Sequence, residues 1–244
     1  EIPWRFHAKK GDPFPFCLDV AERRIQETIE DLDPYGPSMC GGSVTDWQKR
    51  RARLELVGQH GRSGWLLGKA KGVVCGFTHG DPNPRNCLVL PGKPKDLRVI
   101  DCGDFQAGWR LVSDLAQVER EIKLVLMGTE DRAAEFHDLS TSRLGEWCEA
   151  ERIAVSRGMK YRSVDVLGNH GDDYSTVPRS YQLIAKVRAQ AKKLCKAAGD
   201  DEGVHYFAAL LFWTLDALKY DQIRRTKKLL ALYSASEILL HFPD

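Results

Sequence analysis

Apolar residues recur at roughly helical spacing within the first sixty residues and predict two helices there. The first is expected to run from Asp19, a candidate N-cap, to the stop signal at Pro34. Thr45 is a candidate cap for the second helix, which Gly58 would close. Residues 1–16 combine prolines, aromatics and lysines without a helical period, so an irregular arm is expected there.

The second half of the chain is predicted to be mostly helical. Ser113 is a candidate N-cap for a helix that Gly128 would end, because the apolar residues from Leu115 onward form a stripe. Residues 158–177 are rich in Gly, Asn and Asp, so this stretch is expected to be a loop, either a lid or a connection. Further helices are expected at 130–157, from Pro178 to Gly199, at 203–219 and at 221–240.

Between these helical regions the pattern changes to short extended pieces. The glycines from Gly61 to Gly76 prevent a long helix. Two apolar runs, Cys87–Leu90 and Leu97–Ile100, are joined by the polar segment Pro91–Asp96, which predicts a small hairpin with an exposed, basic turn. The expected fold class is therefore mainly α with a small β-hairpin.

Composition and charge argue against two classes of partner. The chain has 36 Lys and Arg residues against 34 Asp and Glu, a net charge of +2, so no overall field draws it to nucleic acid. Its basic clusters lie in helix-like segments and are interpreted as solvated faces. The most apolar stretch, Phe207–Leu215, is far shorter than the roughly 20 residues that a bilayer requires. We expect neither nucleic-acid binding nor membrane insertion.

The seven cysteines are scattered and include no C-x-x-C pair, so neither zinc binding nor redox chemistry is expected. We interpret them as buried free thiols, which favours a reducing compartment. The N-terminus lacks a charged segment followed by an apolar one, so we expect a cytoplasmic protein. Because the chain begins with Glu1 rather than Met, we expect it to be processed or to be part of a longer protein.

Candidate chemistry is concentrated in residues 78–86, which are expected to form a loop that leads into the strand Cys87–Leu90. The loop holds a carboxylate, Asp81, and a carboxamide, Asn86, five positions apart. Phosphoryl transfer needs such a pair. The carboxylate can orient an acceptor hydroxyl and take its proton, and the amide oxygen can bind the Mg²⁺ that neutralises the phosphoryl charge.

A second carboxylate is expected at the end of the next apolar run, Leu97–Ile100. Asp101 follows this run directly, and Gly103 gives the backbone the freedom to turn away. Because Mg²⁺ prefers hard oxygen ligands and keeps several waters, Asn86 and Asp101 together with substrate phosphates are a sufficient ligand set. The sequence therefore predicts a magnesium site without a histidine cluster.

Neighbouring polar residues have less specific interpretations. His79 is assigned with Asp81 to the catalytic loop and is expected to organise that loop by hydrogen bonds, with action as a base as the alternative. Arg85 can contact a phosphate or lie in solvent, and Asp104 is interpreted as structural, with metal contact as the alternative. The pair Asp172–Asp173 is interpreted as solvated surface, with cation or substrate binding as the alternative.

The pattern His79-Gly80-Asp81 with Asn86, followed by Ile100-Asp101-x-Gly103, resembles the aminoglycoside phosphotransferase and choline kinase branch of the protein-kinase-like superfamily. The tight match covers about 25 residues. Beyond it, the segment Ser113-Asp114-Leu115-Ala116 is similar to the family segment in which an Asp opens a helix and braces the catalytic loop.

This resemblance implies a mainly helical, kinase-like C-terminal lobe, with Mg²⁺ and ATP or GTP as cofactors and a small hydroxyl-bearing molecule as the usual acceptor. It implies that Asp81 is the catalytic base and that Asn86 and Asp101 bind the metal and nucleotide. Gly80, Gly103 and Asp114 then support the loop.

The chain departs from this family before the motif. The residues that precede His79 contain neither a G-x-G-x-x-G segment nor a strand of the V-A-I-K type, so the N-terminal β lobe and its nucleotide-binding lysine are not recognisable. Either that lobe lies upstream in a longer protein, or the lobe was lost. In the second case the chain is a catalytically inactive interaction or sensor module, such as those of multidomain bacterial conflict-system proteins, and its partner is a protein.

With this resemblance the chain divides into three predicted segments. Residues 1–60 form the N-terminal arm and helices, residues 61–128 the core that carries the catalytic loop and metal site, and residues 129–244 a C-terminal helical subdomain.

Overall fold

The fold is mainly helical, as the sequence predicted, and it also contains two pairs of short antiparallel strands. A computed structural model describes residues 25–31, 33–60, 75–83, 86–90, 92–101, 106–126, 141–162, 176–221 and 223–241. The predicted arm at 1–16 and the cap at Asp19 lie outside these residues, as do Gly128 and most of the predicted loop at 158–177.

The elements follow one another in a simple order along the described residues. The helices are α1 (25–31), α2 (Gly36–Met39), α3 (Val44–His60), α4 (Leu111–Glu121), α5 (Thr141–Ser156), α6 (Thr176–Ala197), α7 (Val204–Asp216) and α8 (Arg225–His241). The strands are β1 (Cys75–Thr78), β2 (Cys87–Leu90), β3 (Lys93–Val99) and β4 (Gln106–Arg110). A π-helical turn, Ile122–Leu126, extends α4, and short 3₁₀ helices, Gly158–Lys160 and Ala217–Lys219, follow α5 and α7.

Strands β2 and β3 form a hairpin in which Cys87 lies opposite Val99 and Leu88 opposite Arg98. β3 begins at Lys93, four residues earlier than the predicted run, so the expected six-residue turn is wrong in length. Gly92 has a φ of 73°, a left-handed conformation that favours glycine and allows the chain to reverse in a shorter turn. The first half of β3 is polar and therefore gave no strand signal in the sequence. It pairs nonetheless, because a two-stranded ribbon needs few apolar residues.

Strands β1 and β4 form a second antiparallel pair, with Cys75 opposite Arg110. β4 leads directly into α4 at Leu111, so Ser113 is not the N-cap that the sequence predicted. It lies inside the helix, where its hydroxyl accepts a hydrogen bond from Trp213 Nε1 at 3.1 Å. The cap prediction for α3 is also wrong. Ser43, not Thr45, accepts the hydrogen bond from the backbone N–H of Asp46 at 3.1 Å.

Helix α4 lies at the centre of the helical packing, against α6 and α7, while α8 packs against α3, α5 and α7. One buried apolar cluster takes residues from each of the three predicted segments. Examples are Ile29, Trp47, Val112, Leu210 and Leu232. The helix that begins next to the candidate loop is therefore fixed by the main core.

Two further expectations concern cysteines and membranes. Cys40, Cys75, Cys87, Cys148 and Cys195 are free thiols, as predicted, but only Cys148 and Cys195 are buried, so the expected burial is wrong for the other three. Cys17 and Cys102 lie outside the described residues. Among the helices that the structure describes, none combines the length and apolar character needed to cross a bilayer.

Candidate functional site

The candidate loop begins where β1 ends, and it lies beside the first turns of α4. Thr78, the last residue of β1, is buried, and β1 contacts α4. The loop then passes through Asp81 and Asn83 to Asn86, after which β2 begins. Because β1 pairs with β4, and β4 continues into α4, the loop and the start of the helix are held together by the strand pairing.

Asp114, in the first turn of α4, binds the loop backbone. Its carboxylate accepts hydrogen bonds from the N–H of His79 at 2.6 Å and from the N–H of Gly80 at 3.3 Å. Gly80 has a φ of 83°, so the loop backbone here adopts a conformation that favours glycine. Burial raises the pKa of Asp114, and the two backbone hydrogen bonds oppose that rise. The resemblance gave Asp114 and Gly80 supporting roles, and the structure shows Asp114 bonded to the backbone N–H of Gly80, which is itself a loop residue.

Asp81 is held by side-chain amides on both of its carboxylate oxygens. Gln117 Nε2 donates to Asp81 Oδ1 at 3.0 Å, and Asn86 Nδ2 lies 3.4 Å from Asp81 Oδ2. Asn86 Nδ2 also donates to the backbone oxygen of Asp81 at 3.2 Å. Backbone hydrogen bonds from Asn83 N to Asp81 O and from Asn86 N to Asn83 O, both 2.8 Å, fold the loop between them. Asp81 and Asn86 are therefore neighbours in space.

Asp101 follows directly after a backbone segment that is bonded to both ends of the loop. Ile100 N donates to Asn86 O at 2.8 Å, and Ile100 O lies 3.0 Å from His79 Nε2. Because a carbonyl oxygen only accepts, this contact places the proton of the imidazole on Nε2. His79 thus links the loop to the end of β3, which matches the organising role expected for it.

The backbone of Asp101 itself is unusual. Its φ is 58°, the only positive φ of a non-glycine residue within the part of the chain described, and its side chain is exposed. Aspartate tolerates this left-handed region better than most residues, but the conformation still stores strain. Strained backbone of this kind is concentrated at functional sites.

Several candidates from the sequence cannot be placed. Gly103, Arg85 and Asp104 lie outside the described residues, as does the pair Asp172–Asp173. Apart from Gly103, the structure describes every residue that was assigned to the predicted site: His79, Gly80, Asp81, Asn86, Asp101 and Asp114.

Sequence reasoning missed Gln117. It lies three positions after Asp114 on α4, so both residues project from one helix face. A helix that braces the loop through Asp114 also presents the residue three positions later to the loop, and this spacing could have indicated Gln117. Glutamine in an amphipathic helix has no distinctive pattern, however, so the residue type gave no further indication.

Sequence reasoning also missed a set of buried charges behind the site. Glu119, Lys123, Glu151 and Arg188, which we call the buried ion cluster, are each at most 1% exposed. Arg188 donates to both oxygens of Glu119 at 2.8 and 2.6 Å. Lys123 lies 2.7 Å from Glu119 and 2.6 Å from Glu151. Two acids and two bases thus balance one another inside the protein.

The buried ion cluster is fully supplied with hydrogen bonds. Tyr206 donates to Glu119, and Tyr181 donates to Glu151 at 2.8 Å. Burial alone would raise the pKa of Glu119, but Arg188 and Lys123 lower it to about 2. The cluster is therefore a structural group that joins α4 to α5 and α6.

Apolar side chains are exposed next to the loop. Leu88 is 48% and Ile100 is 41% exposed. Ile100 lies two residues beyond Arg98, the partner of Leu88, so both side chains project from the same face of the β2–β3 ribbon. This face adjoins Asn86 and Asp101. Phe77 of β1, 69% exposed, is a further apolar side chain at the loop.

The oxygens near the loop decide which metals suit it. Within the described ranges, no group of three or more His, Cys, Asp or Glu side chains is placed to hold a metal ion. The Nδ2 atom of Asn86 faces Asp81, so its Oδ1 is directed away from Asp81 and is the atom that can bind a metal ion. An amide oxygen and one carboxylate suit a hard cation that keeps several waters.

Comparisons with known proteins add no relative. No protein-family model, no curated protein and no solved structure matches the chain significantly.

Proposed function

We propose that this chain carries the catalytic-loop half of a Mg²⁺-dependent phosphotransferase, similar to the C-terminal lobe of the aminoglycoside phosphotransferase and choline kinase branch. The donor is ATP or GTP, and the acceptor is a small hydroxyl-bearing molecule. The observation that carries this proposal is the contact between Asp81 and Asn86 in a loop bound by Asp114. The backbone hydrogen bond from Ile100 N to Asn86 O, which holds the residue before Asp101 against Asn86, supports it further.

In this proposal Asp81 receives the proton of the acceptor hydroxyl. The hydroxyl oxygen forms a bond to the γ-phosphorus, the bond from that phosphorus to the bridging oxygen breaks, and its electron pair leaves with the nucleoside diphosphate. Asp81 is half-buried and fixed by two amides, so little reorientation is needed at the moment of transfer.

Asn86 and Asp101 are the residues that would hold Mg²⁺, through Asn86 Oδ1 and the Asp101 carboxylate. When bound, the metal neutralises charge on the transferring phosphoryl group. The exposed position of Asp101 leaves room for nucleotide phosphates and water as the remaining ligands. The strained backbone of Asp101 supports this role, because strain of this kind is concentrated at functional sites.

The exposed face with Leu88 and Ile100 fits the nucleotide base. A flat aromatic ring buries apolar side chains efficiently, and these two lie near the proposed metal ligands in sequence, because Leu88 follows Asn86 by two residues and Ile100 directly precedes Asp101. A nucleotide needs an apolar surface for its base and a polar loop for its phosphates, and the two lie next to each other here.

The test uses the full-length protein with ATP or GTP that carries a labelled γ-phosphate. Mn²⁺ serves as a spectroscopic substitute for Mg²⁺. We expect metal-dependent nucleotide binding and slow transfer of the label to water or to an added hydroxyl compound. Asp81→Asn should reduce the rate by about 100-fold or more with nucleotide affinity retained, since a general base contributes on the order of 10²–10⁴. Asp101→Asn should instead weaken Mn²⁺ binding.

Asp201→Asn is the matched control, because Asp201 is an exposed aspartate in the turn before α7. It should leave binding and turnover unchanged. If the full-length protein binds neither nucleotide nor metal, and wild type and Asp81→Asn transfer no label, the phosphotransferase proposal is wrong.

A catalytically inactive interaction or sensor module is the second candidate. The observation in its favour is that α1, α2 and α3, the regular elements described before β1, are helices rather than strands of a nucleotide-clamping lobe. This candidate predicts that a protein partner co-purifies with the full-length protein. Asp81→Asn and Asp101→Asn would then leave the complex and its biological output intact, whereas the phosphotransferase proposal requires both changes to lower the output.

A further inference from the structure

Gln117 is a buried side chain that forms a hydrogen bond to Asp81. The side chain is 3% exposed, and its Nε2 donates to Asp81 Oδ1 at 3.0 Å. The other end of the same amide, Gln117 Oε1, is buried and has no hydrogen-bond partner among the residues that the structure describes. One half of the amide is thus used on the loop, while the other half is left unsatisfied.

The orientation of this amide is fixed by Asp81. Rotating the amide by half a turn would place Oε1 against the carboxylate, where two acceptors would repel each other. The arrangement therefore keeps the donor on Asp81 and leaves Oε1 without a partner in the part of the chain that the structure describes. A buried unsatisfied acceptor destabilises a fold. Gln117 therefore orients Asp81 at some cost to the stability of the fold.

The two oxygens of Asp81 differ as a result. Oδ1 accepts the 3.0 Å hydrogen bond from Gln117, whereas among the described residues the contact of Oδ2 is the longer one of 3.4 Å with Asn86. Oδ2 is the oxygen with capacity left for a new, strong hydrogen bond. It also lies on the side of Asn86, a proposed metal ligand.

We propose that Gln117 is a positioning residue, which holds Asp81 Oδ1 so that Oδ2 receives the acceptor hydroxyl proton. This inference rests on the proposed phosphotransferase function and assigns the atom that acts in it. Gln117 acts only through Asp81 and has no contact with substrate. Because the helix face of Gln117 is the same as that of Asp114, one helix sets both the loop backbone and the side chain of its base.

The test replaces Gln117 with methionine, which keeps the length of the side chain and removes both polar ends. We expect kcat for phosphoryl transfer to fall by about 10- to 100-fold, since a misplacement of about 1 Å at a reacting group costs on the order of 100-fold. KM for the nucleotide and the Mn²⁺ affinity should not change. The melting temperature should stay the same or rise, because the unsatisfied oxygen is removed. Activity and stability therefore move independently.

Gln117→Glu and Gln190→Met complete the set. Glutamate has the shape of glutamine but repels Asp81, so kcat should fall further than in Gln117→Met. Gln190 is an exposed glutamine of α6 that accepts a hydrogen bond from Lys193, and its replacement should change none of these quantities. A Gln117→Met protein with unchanged kcat, or one whose kcat falls only in step with its melting temperature, contradicts the positioning role.

A readout without turnover separates this inference from the proposed function. The carboxyl ¹³C signal of Asp81 is identified by its loss in Asp81→Asn protein labelled at aspartate. If Gln117 positions Asp81, that signal shifts in Gln117→Met, and an unchanged signal overturns the positioning role. Wild-type protein that transfers no phosphoryl group overturns the phosphotransferase function, whichever result the ¹³C signal gives.

Discussion

Asp114 shows how much one side chain can fix in a loop. Its two oxygens accept from consecutive backbone N–H groups, those of His79 and Gly80. Hydrogen bonds to a charged acceptor contribute roughly 1.5–3 kcal/mol each, and a loop this short has few other ways to satisfy these donors. The carboxylate is partly buried, and burial raises its pKa even though both bonds favour the charged form.

Asp114→Ala is therefore expected to lower the free energy of unfolding by roughly 2–4 kcal/mol, because both N–H groups lose their acceptor. Nucleotide and Mn²⁺ affinity should fall as well, since Asp81 and Asn86 lie in the released loop. Chemical denaturation and Mn²⁺ titration of the same protein measure the two effects.

Asp200 provides the control for that change. It accepts hydrogen bonds from two backbone N–H groups, of Val204 and His205, both at 2.9 Å, but it caps α7 and does not contact the loop. Asp200→Ala should destabilise the fold by a similar amount without changing Mn²⁺ affinity. Equal losses of affinity in the two variants would mean that Asp114 supports only the fold.

The elements of the chain could be predicted where their signals are local. The apolar stripes of α6, α7 and α8 gave helices with ends within four residues of those in the structure, and the apolar run of β2 gave the correct strand. Each of these signals is contained in the element itself.

The elements that were missed depend on contacts distant in sequence. Strand β4 contains Ala107 and Gly108, which favour strands weakly, so its strand character comes from pairing with β1. The buried ion cluster is another example, since its charges lie on α4, α5 and α6 and meet only when these helices pack together. The motif at 79–101 located Asp81, Asn86 and Asp101, whereas Gln117 depends on the angle at which α4 meets the loop.

Two glycines in the turn between α6 and α7 give a prediction for the elements. Gly203, which precedes α7, has a φ of 74°, and a Cβ there would lie 2.5 Å from Met159 Cγ. Gly199 has a φ of 73°, but a Cβ there would meet no atom within 4 Å. Gly199→Ala should therefore cost about 1 kcal/mol from backbone strain alone. Gly203→Ala should cost about 1–3 kcal/mol more, because Met159 must move. Thermal unfolding compares the two, and equal losses would show that Met159 moves away without cost.

At the scale of the whole molecule, the buried ion cluster links the helix of the site to the rest of the fold. Glu119 and Lys123 of α4 contact Arg188 of α6 and Glu151 of α5, and Ser234 of α8 donates to Glu151 at 2.6 Å. Replacing one partner of such a group leaves a buried charge without compensation, which costs roughly 3–5 kcal/mol. Glu119→Gln should lower the free energy of unfolding by this amount, whereas Glu149→Gln should change it by less than about 1 kcal/mol, because Glu149 and Arg152 form an exposed pair.

The same glutamate makes stability depend on pH in a defined window. The pKa of Glu119 is about 2 in the folded protein, below its ordinary value of 4.5, so between these values the unfolded chain binds the proton more readily. Stability that is fully present above about pH 4.5 is therefore lost as the pH falls toward 2, by roughly 3 kcal/mol from this group. Denaturant unfolding of wild type, Glu119→Gln and Glu149→Gln between pH 6 and pH 2 isolates the contribution.

The free energy of unfolding of wild type should approach that of Glu119→Gln as the pH falls, because protonation removes the charge that the substitution removes. The values for Glu149→Gln should run parallel to those of wild type. A constant gap between wild type and Glu119→Gln down to about pH 2 would mean that the buried ion cluster does not hold Glu119 ionised.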